Sequence, residues 1–323
     1  MIEHCFTFTH SRSKWTFTVS GTETAGMTPS AAARPRPFGR ALCAMITPFT
    51  ADGALDREAA AAHAAALVAG GCDGLVLSGT TGESPTTSDA EKADLLRAVR
   101  DAVGPDVPLV AGVGTADTRH TVELAHQAER AGADGLLVVT PYYSRPPQAA
   151  VEAHFRRIAD AAGLPVMLYD IPGRTGTRIE PETMLRLAEH PRIVAVKDCS
   201  QDLLTATRVI AAGGLAYYSG CEELNLPLYA VGGAGYVSTV ANVVPGRMRA
   251  VLDAFDAGDT DGAARLNARL APLTALMMAS GLPGTVTAKA LLAAGPVREP
   301  LQPAGREASD GLRAAYEELL VAA

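Results

Sequence analysis

The sequence predicts an α/β protein: a closed (β/α)8 barrel of the TIM type followed by a C-terminal helical appendage. Two observations support this fold class. From Ala41 onward, a short apolar run, a turn rich in Gly, Ser, Thr or Pro, and a helix rich in Ala, Leu, Arg and Glu follow one another repeatedly. Eight candidate strands recur roughly every 20 to 35 residues, close to the ~30-residue length of a βα unit. Eight such units close into a barrel.

The candidate strands are short and apolar, and helix-like stretches such as residues 89–103 and 117–131 lie between them. The strands are expected at residues 41–47, 74–78, 109–112, 136–140, 166–169, 193–197, 216–219 and 235–239. The main rival is a doubly wound open sheet, which has fewer strands and a Gly-rich fingerprint after its first strand. Here the first strand ends in Ile46-Thr47-Pro48-Phe49, and no dinucleotide-binding motif follows.

Composition divides the chain into three parts. Residues 1–36 are rich in Thr, Ser, Ala and Pro and lack helical periodicity, so we expect a disordered leader. Apolar and polar residues alternate from Phe6 to Val19, which leaves a hairpin as the alternative, and Met27 is an alternative start. The barrel is expected over residues 37–258 and the helical region over residues 259–323.

Composition also limits the partners. The 323 residues carry a formal net charge of −7, which gives no electrostatic reason to bind nucleic acid or anionic membrane. The five cysteines never form a C-x-x-C pair, so neither a disulfide framework nor a zinc site is suggested. No apolar run reaches the ~20 residues of a membrane span, and the N-terminus lacks the apolar core of a signal peptide. We expect a cytoplasmic protein with a small-molecule partner.

The segment Ile193-Val194-Ala195-Val196-Lys197-Asp198 is an apolar, β-branched run that ends in a lone lysine. A lysine at the inner end of a core strand is costly unless it is paired or neutral. Burial lowers the lysine pKa and leaves a free amine that can attack a carbonyl, so we interpret Lys197 as a Schiff-base lysine. The alternative is a lysine just past the strand end that reaches solvent or pairs with Asp198.

In a barrel, the polar residues at the strand C-termini are the functional candidates. They are Thr47, Ser78 to Ser84, Tyr142, Tyr143, Tyr169, Lys197, Gly220 and Ser238. The turn Gly79-Thr80-Thr81-Gly82-Glu83-Ser84 offers backbone N–H groups and hydroxyls to a small carboxylate, although it could equally be a helix-capping turn. We expect Glu83 to make structural hydrogen bonds rather than to catalyse.

Tyr169 ends the strand before that of Lys197, so its phenol is placed for acid–base work, the alternative being an amphipathic residue at a core edge. Arg174 lies on a tight loop above the same strand, where a guanidinium could hold a carboxylate with two hydrogen bonds. Most loop arginines only face solvent. The histidines fall on predicted helices or in the leader, so none is assigned a catalytic role.

Five ordered motifs together resemble the dihydrodipicolinate synthase and N-acetylneuraminate lyase family of class I aldolases. They are GTTGES (79–84), TPYYSRP (140–146), YDIPGRTG (169–176), VKD (196–198) and GYVSTVAN (235–242). The resemblance runs from about Phe38 to the C-terminus. It implies a (β/α)8 barrel with a C-terminal helical domain, a homotetramer built as a dimer of dimers, and pyruvate bound covalently to Lys197. It implies no metal and no organic cofactor.

The same resemblance implies roles for other residues. Thr80 and Thr81 would hold the pyruvate carboxylate. Tyr169 would transfer protons through a relay with Thr80 and Tyr143, the latter from a neighbouring subunit. Two further positions would line the site: Gly220 and Val237.

The prediction of the second substrate depends on Arg174. The resemblance implies that this arginine grips the carboxylate of L-aspartate 4-semialdehyde, whereas sialic-acid lyases have an apolar residue there. Two positions differ from the family pattern. Cys221 and Glu222 follow Gly220 where synthases resembling this chain usually have Gly-Asp-Asp, and Cys199-Ser200 follow the lysine where a turn of small residues is more typical. The alternative is therefore a paralogous pyruvate-dependent aldolase or lyase for a 2-keto-3-deoxy sugar or another aldehyde.

Overall fold

The structure is a computed structural model that describes residues 6–11, 14–19 and 35–321. The chain separates into two compact units, Met1–Ala33 and Arg34–Ala323. The border between them lies close to the predicted end of the leader.

The first unit contains an antiparallel pair of strands. Strand β1 (Phe6–Ser11) pairs with β2 (Lys14–Val19), and Phe6 lies opposite Val19. Over these residues the structure has the hairpin that the alternation allowed, in place of the disordered chain that composition predicted. The rest of the predicted leader before Pro35, including Met27, lies outside the described residues.

Eight parallel strands in the second unit close into the predicted barrel, in which each strand pairs with its neighbours in the chain and the last pairs with the first. They are β3 (Ala41–Ala44), β4 (Gly74–Leu77), β5 (Leu109–Gly112), β6 (Gly135–Val139), β7 (Val166–Asp170), β8 (Ile193–Asp198), β9 (Ala216–Ser219) and β10 (Gly235–Ser238). All of these strands are short and almost fully buried, as expected for a parallel sheet covered by helices.

Most strand boundaries agree with the prediction to within one residue, and β5 and β9 have the predicted bounds. The prediction was wrong at the first barrel strand, which was expected to reach Thr47 but ends at Ala44. The N–H of Ile46 donates to the side-chain Oδ1 of Asn242 at 3.0 Å instead of to a neighbouring strand. The Thr47 hydroxyl donates to the carbonyl of Gly82 at 2.7 Å. The residues after Ala44 therefore bind the loops around them and do not extend the strand.

Helices follow the strands and surround the barrel. They are α1 (Arg57–Ala69), α2 (Asp89–Val103), α3 (Thr118–Arg130), α4 (Gln148–Ala161), α5 (Pro172–Thr175), α6 (Pro181–Ala188), α7 (Leu203–Ala212), α8 (Asn225–Ala230) and α9 (Pro245–Asp256). Helix α2 begins with a capping box, in which Ser88 and Glu91 each bind the other's backbone N–H. The C-terminal region adds α10 (Thr260–Met278), α11 (Gly284–Leu292) and α12 (Arg306–Val321). No helix in the described part of the chain is long and apolar enough to cross a membrane.

Alternation along the strands produces two cores. One set of side chains, including Val76, Met167 and Ala195, fills the barrel interior, and the other packs between the barrel and its helices. Since successive residues of a strand point to opposite sides, Tyr169 and Lys197 share the interior with Met167 and Ala195. This alternation places both side chains of the predicted reaction inside the barrel.

Candidate active site

The carboxyl ends of the barrel strands border a cavity of about 920 Å³. The loops after β4, β6 and β7 form much of its wall and contribute Thr80, Tyr143 and Arg174. Tyr169 also lines this cavity, whereas Lys197, Thr81 and Gly220 are not among its lining residues. We call Lys197, Tyr169, Thr81 and Gly220 the floor of the site, and Tyr142, Tyr143 and Arg174 its rim. Within the described residues, no group of three or more His, Cys, Asp or Glu side chains is arranged to hold a metal ion.

Lys197 lies on β8 and is only 6% exposed. Its Nζ is 4.5 Å from the centroid of the Tyr169 ring, and Tyr169 is its partner in the register of β7 and β8. The two alternatives for this lysine do not hold, since Lys197 does not reach solvent and Asp198 is engaged elsewhere. The Asp198 carboxylate accepts hydrogen bonds from the Tyr217 hydroxyl at 3.0 Å and from the Ser200 N–H at 2.6 Å.

The surroundings of Lys197 favour the neutral amine. Burial lowers the pKa of this lysine, while Cys199, Glu222 and Cys221 act in the opposite direction. Within the described residues, no carboxylate forms an ion pair with its ammonium group. The unprotonated amine is the form of lysine that attacks a carbonyl carbon, and burial without an ionic partner shifts the protonation equilibrium towards it.

Gly220 makes room for this lysine. A Cβ at position 220 would lie 2.8 Å from Cε of Lys197 and 2.4 Å from Sγ of Cys199. Any side chain larger than hydrogen would therefore displace the lysine or the thiol. A hydrogen bond with Cys221 lowers the pKa of the Cys199 thiol, so the two departures from the family pattern form one pair of thiols on the floor.

Tyr169 is 5% exposed and lies at the end of β7. Burial raises its pKa well above the ordinary value for a phenol. A hydrogen bond with Thr80 and the positive charge of Arg174 act in the opposite direction. The phenol is therefore a protonated group beside the lysine, in contact with the turn that follows β4, and this position suits a proton donor.

The turn between β4 and α2 is held from several directions. The Thr81 hydroxyl lies 2.9 Å from that of Thr239, and the N–H of Glu83 donates to the carbonyl of Thr80 at 3.1 Å. Thr81 is buried, whereas Thr80 is half-buried at the cavity wall. The prediction that Glu83 is structural is confirmed, because its buried carboxylate forms an ion pair with Lys289 and accepts the N–H of Arg298.

Sequence reasoning assigned no role to the carboxylate that supports this arrangement from the short 3-10 helix after β9. Glu222 is 6% exposed and accepts hydrogen bonds from the N–H of Thr239 at 2.6 Å, the hydroxyl of Ser238 and the amide of Asn225. Thr239 in turn contacts Thr81. The predicted residue Val237 is buried in β10 within the interior core. The sequence does not single Glu222 out, because Glu223 and Asn225 beside it are polar as well.

The rim differs from the floor. Arg174 lies in the short helix α5, is exposed, and forms no ion pair within the described residues. Tyr143 is 95% exposed and has a left-handed backbone with φ of 72°, while Tyr142 is 42% exposed. A positive φ is uncommon for a bulky residue such as tyrosine, so the backbone at Tyr143 is strained.

Comparisons with known proteins agree with this geometry. A relative from Streptomyces coelicolor named 4-hydroxy-tetrahydrodipicolinate synthase 1 is 72% identical over 288 residues, which cover 88% of this chain and 94% of the relative. The solved dihydrodipicolinate synthase from Cyanidioschyzon merolae with lysine bound is 37% identical, with a TM-score of 0.86 over 89% of this chain and 100% of the other.

The solved dihydrodipicolinate synthase from Acinetobacter baumannii, complexed with pyruvate, is 33% identical, with a TM-score of 0.84 over 88% of this chain and 99% of the other. Residues 37–319 match the Dihydrodipicolinate synthetase family. The match spans the barrel and almost all of the C-terminal helical region. The chain therefore belongs to the Dihydrodipicolinate synthetase family.

Proposed function

We propose that this chain is a class I aldolase-type synthase that condenses pyruvate with L-aspartate 4-semialdehyde to form 4-hydroxy-tetrahydrodipicolinate, in lysine and diaminopimelate biosynthesis. The observation that carries the proposal is the buried Lys197 amine, 4.5 Å from the Tyr169 ring, in a chain 72% identical to a protein named for this reaction. The enzyme is a lyase that works through a Schiff base.

The first half of the reaction uses the floor. The neutral Lys197 amine attacks the ketone carbon of pyruvate, and loss of water leaves an imine. Tyr169, with Thr80 beside it, supplies the proton that converts the hydroxyl into leaving water. Thr80 and Thr81 hold the pyruvate carboxylate, and Gly220 and Val237 shape the space around it. The protonated imine then loses a proton from its methyl carbon to the Tyr169 phenolate, which restores the phenol and leaves an enamine. None of these steps uses a metal or an organic cofactor.

The second half uses the rim. The enamine carbon attacks the aldehyde of the second substrate, and Arg174 holds that substrate's carboxylate with charge-assisted hydrogen bonds. The amino group of the same substrate then attacks the imine carbon, which closes the ring and releases Lys197 as an amine. The exposed guanidinium of Arg174, which has no carboxylate partner in the part of the chain that the structure describes, supports this role.

Tyr143 completes the relay only in an assembly. We propose a homotetramer, a dimer of dimers, in which Tyr143 reaches the site of a neighbouring subunit and passes protons between Thr80 and solvent. Its 95% exposure and left-handed backbone support an interface role. The proposed place of action is the cytoplasm, where a biosynthetic enzyme meets both substrates.

Pyruvate consumption with different aldehydes tests the second substrate. We expect kcat/KM with L-aspartate 4-semialdehyde to exceed that with sugar aldehydes such as glyceraldehyde by roughly 10²-fold or more, because only the former brings a carboxylate to Arg174. Equal or better turnover of a sugar aldehyde would favour the 2-keto-3-deoxy sugar aldolase. The relatives' names favour the synthase.

A further inference from the structure

We propose that Lys289, in helix α11 of the C-terminal region, is a positioning residue for the proposed reaction. Its buried ion pair with Glu83 holds the turn Gly79–Ser84 in the conformation in which Thr80 and Thr81 bind the carboxylate of pyruvate. The inference rests on the proposed function, since it concerns the same pyruvate site. Helix α11, which lies outside the barrel, would in this way help to position the pyruvate-binding residues.

The Glu83 carboxylate is fixed by two contacts with the C-terminal region. Its Oε1 lies 2.5 Å from Nζ of Lys289, and both side chains are buried, at 0% and 2% exposure. Its Oε2 accepts the backbone N–H of Arg298 at 2.8 Å. A carboxylate removed from water needs such partners, because leaving it charged and unpaired in the interior is strongly unfavourable.

The Lys289 ammonium is held as firmly on its own side. It donates to the carbonyl of Pro296 at 2.8 Å and lies 4.1 Å from the centroid of the Phe49 ring. The Arg298 guanidinium is 4.0 Å from the same centroid. Burial lowers the pKa of Lys289, and the hydrogen bond and negative charge of Glu83 act in the opposite direction.

Glu83 needs these contacts to keep its backbone conformation. It has φ of 54° and ψ of 38°, in the left-handed region that a non-glycine residue adopts only when its surroundings impose it. In this conformation its N–H donates to the carbonyl of Thr80, and the hydroxyl of Thr285, also in α11, approaches the same carbonyl at 3.4 Å. The fixed side chain of Glu83 thus determines the backbone path of Thr80 and Thr81, which precede it by three and two residues.

The steady-state kinetics of Lys289→Met test the inference. Methionine keeps most of the volume but removes the charge, so the turn loses its anchor. We expect the KM for pyruvate, and the pyruvate concentration that half-saturates borohydride trapping at Lys197, to rise roughly tenfold or more, as small misplacements of binding groups do. The KM for L-aspartate 4-semialdehyde should stay within about twofold, since Arg174 on the rim is untouched.

Arg249→Met is the matched control. Arg249 forms an ion pair with Asp73 at 2.5 Å and donates to the carbonyl of Gly71, at the opposite end of the barrel. Its loss should lower the melting temperature without changing the KM for pyruvate. An equal KM for pyruvate in Lys289→Met and Arg249→Met would overturn the inference, because it would reduce Lys289 to a stabilising residue.

Glu83→Gln keeps the test decisive if Lys289→Met does not fold. Glutamine is isosteric, and its carbonyl can still accept the N–H of Arg298, so this variant removes only the charge. It should raise the KM for pyruvate, and the double variant should be no worse than the worse single variant, since both remove one interaction. An unchanged KM, or effects that multiply, would contradict the inference. Wild-type protein that is not trapped by pyruvate would refute the proposed function instead.

Discussion

The floor and the rim of the site differ in how completely the single chain holds them. Lys197 and Tyr169 are buried at 6% and 5% exposure on adjacent strands, and Thr81 is hydrogen-bonded to Thr239. Arg174 and Tyr143 are exposed, and within the described residues Arg174 has no ionic partner. Contacts within the chain therefore hold the floor in place, whereas in the proposed function the rim is completed by the second substrate and by a neighbouring subunit.

Tyr169→Phe gives the largest expected effect at the floor. Loss of the proton donor should lower kcat by ~10²-fold or more, while the ring still packs beside Lys197. Steady-state turnover and the melting temperature check this together. Tyr217→Phe is the control, because that hydroxyl binds Asp198 on the outer side of the barrel and its loss should spare kcat. Near-normal turnover of Tyr169→Phe would remove this residue from the mechanism.

Gly220→Ala tests whether Lys197 needs the space that the absent side chain of Gly220 leaves. The new methyl group would lie 2.8 Å from Cε of Lys197, so the amine must move and imine formation should slow by roughly 10²-fold. The rate of borohydride trapping with pyruvate measures this directly. Gly173→Ala on the rim meets no atom within 4 Å and should trap pyruvate at the normal rate. Equal rates for the two variants would contradict the geometry of the floor.

Arg174→Ala separates the rim from the floor. We expect the KM for L-aspartate 4-semialdehyde to rise roughly 10- to 100-fold, as loss of a charge-assisted hydrogen bond does, with the KM for pyruvate nearly unchanged. Arg178→Ala is the matched control, since that guanidinium already binds Asp202 at 2.7 Å and should affect neither KM. Equal effects of Arg174→Ala on both substrates would show that rim and floor are one unit.

Asp170→Asn should change stability rather than chemistry. Burial raises the pKa of this carboxyl to about 7, and its Oδ2 has no hydrogen-bond partner within the described residues. With the folded pKa above the unfolded value, protonated Asp170 stabilises the protein fully below about pH 4, and this contribution is lost as the pH rises through 7.

Between pH 5 and pH 8, wild-type stability should therefore fall by about 2 to 3 kcal/mol relative to Asp170→Asn, whose amide can still accept the N–H of Ile179. Denaturant unfolding at both pH values measures the difference. The exposed substitution Asp106→Asn should keep the wild-type pH dependence. A wild-type curve parallel to that of Asp170→Asn would contradict a protonated Asp170.

The barrel could be predicted because its signals are local. An apolar run that ends in lysine indicated β8, and the repeated strand, turn and helix pattern indicated the other units. The end of β3 could not be predicted, since it depends on a hydrogen bond between Ile46 and Asn242, far apart in sequence.

The candidate site could be predicted only in part. Lys197 and Tyr169 follow from position at strand ends, but the supports of the turn after β4 do not. Glu83 pairs with Lys289, and Thr81 reaches Glu222 through Thr239, and no periodicity connects such distant residues. The lysine within the apolar segment of α11 was the one local signal, because a charge on a buried helix face requires a partner.

Mass spectrometry after borohydride reduction in the presence of pyruvate tests the central claim most directly. A neutral amine forms an imine with the ketone, and reduction makes the adduct permanent. We predict one covalent adduct per chain, on Lys197, and none in Lys197→Arg, whose guanidinium stays protonated. An adduct on another lysine, or no adduct on wild-type protein, would contradict the account.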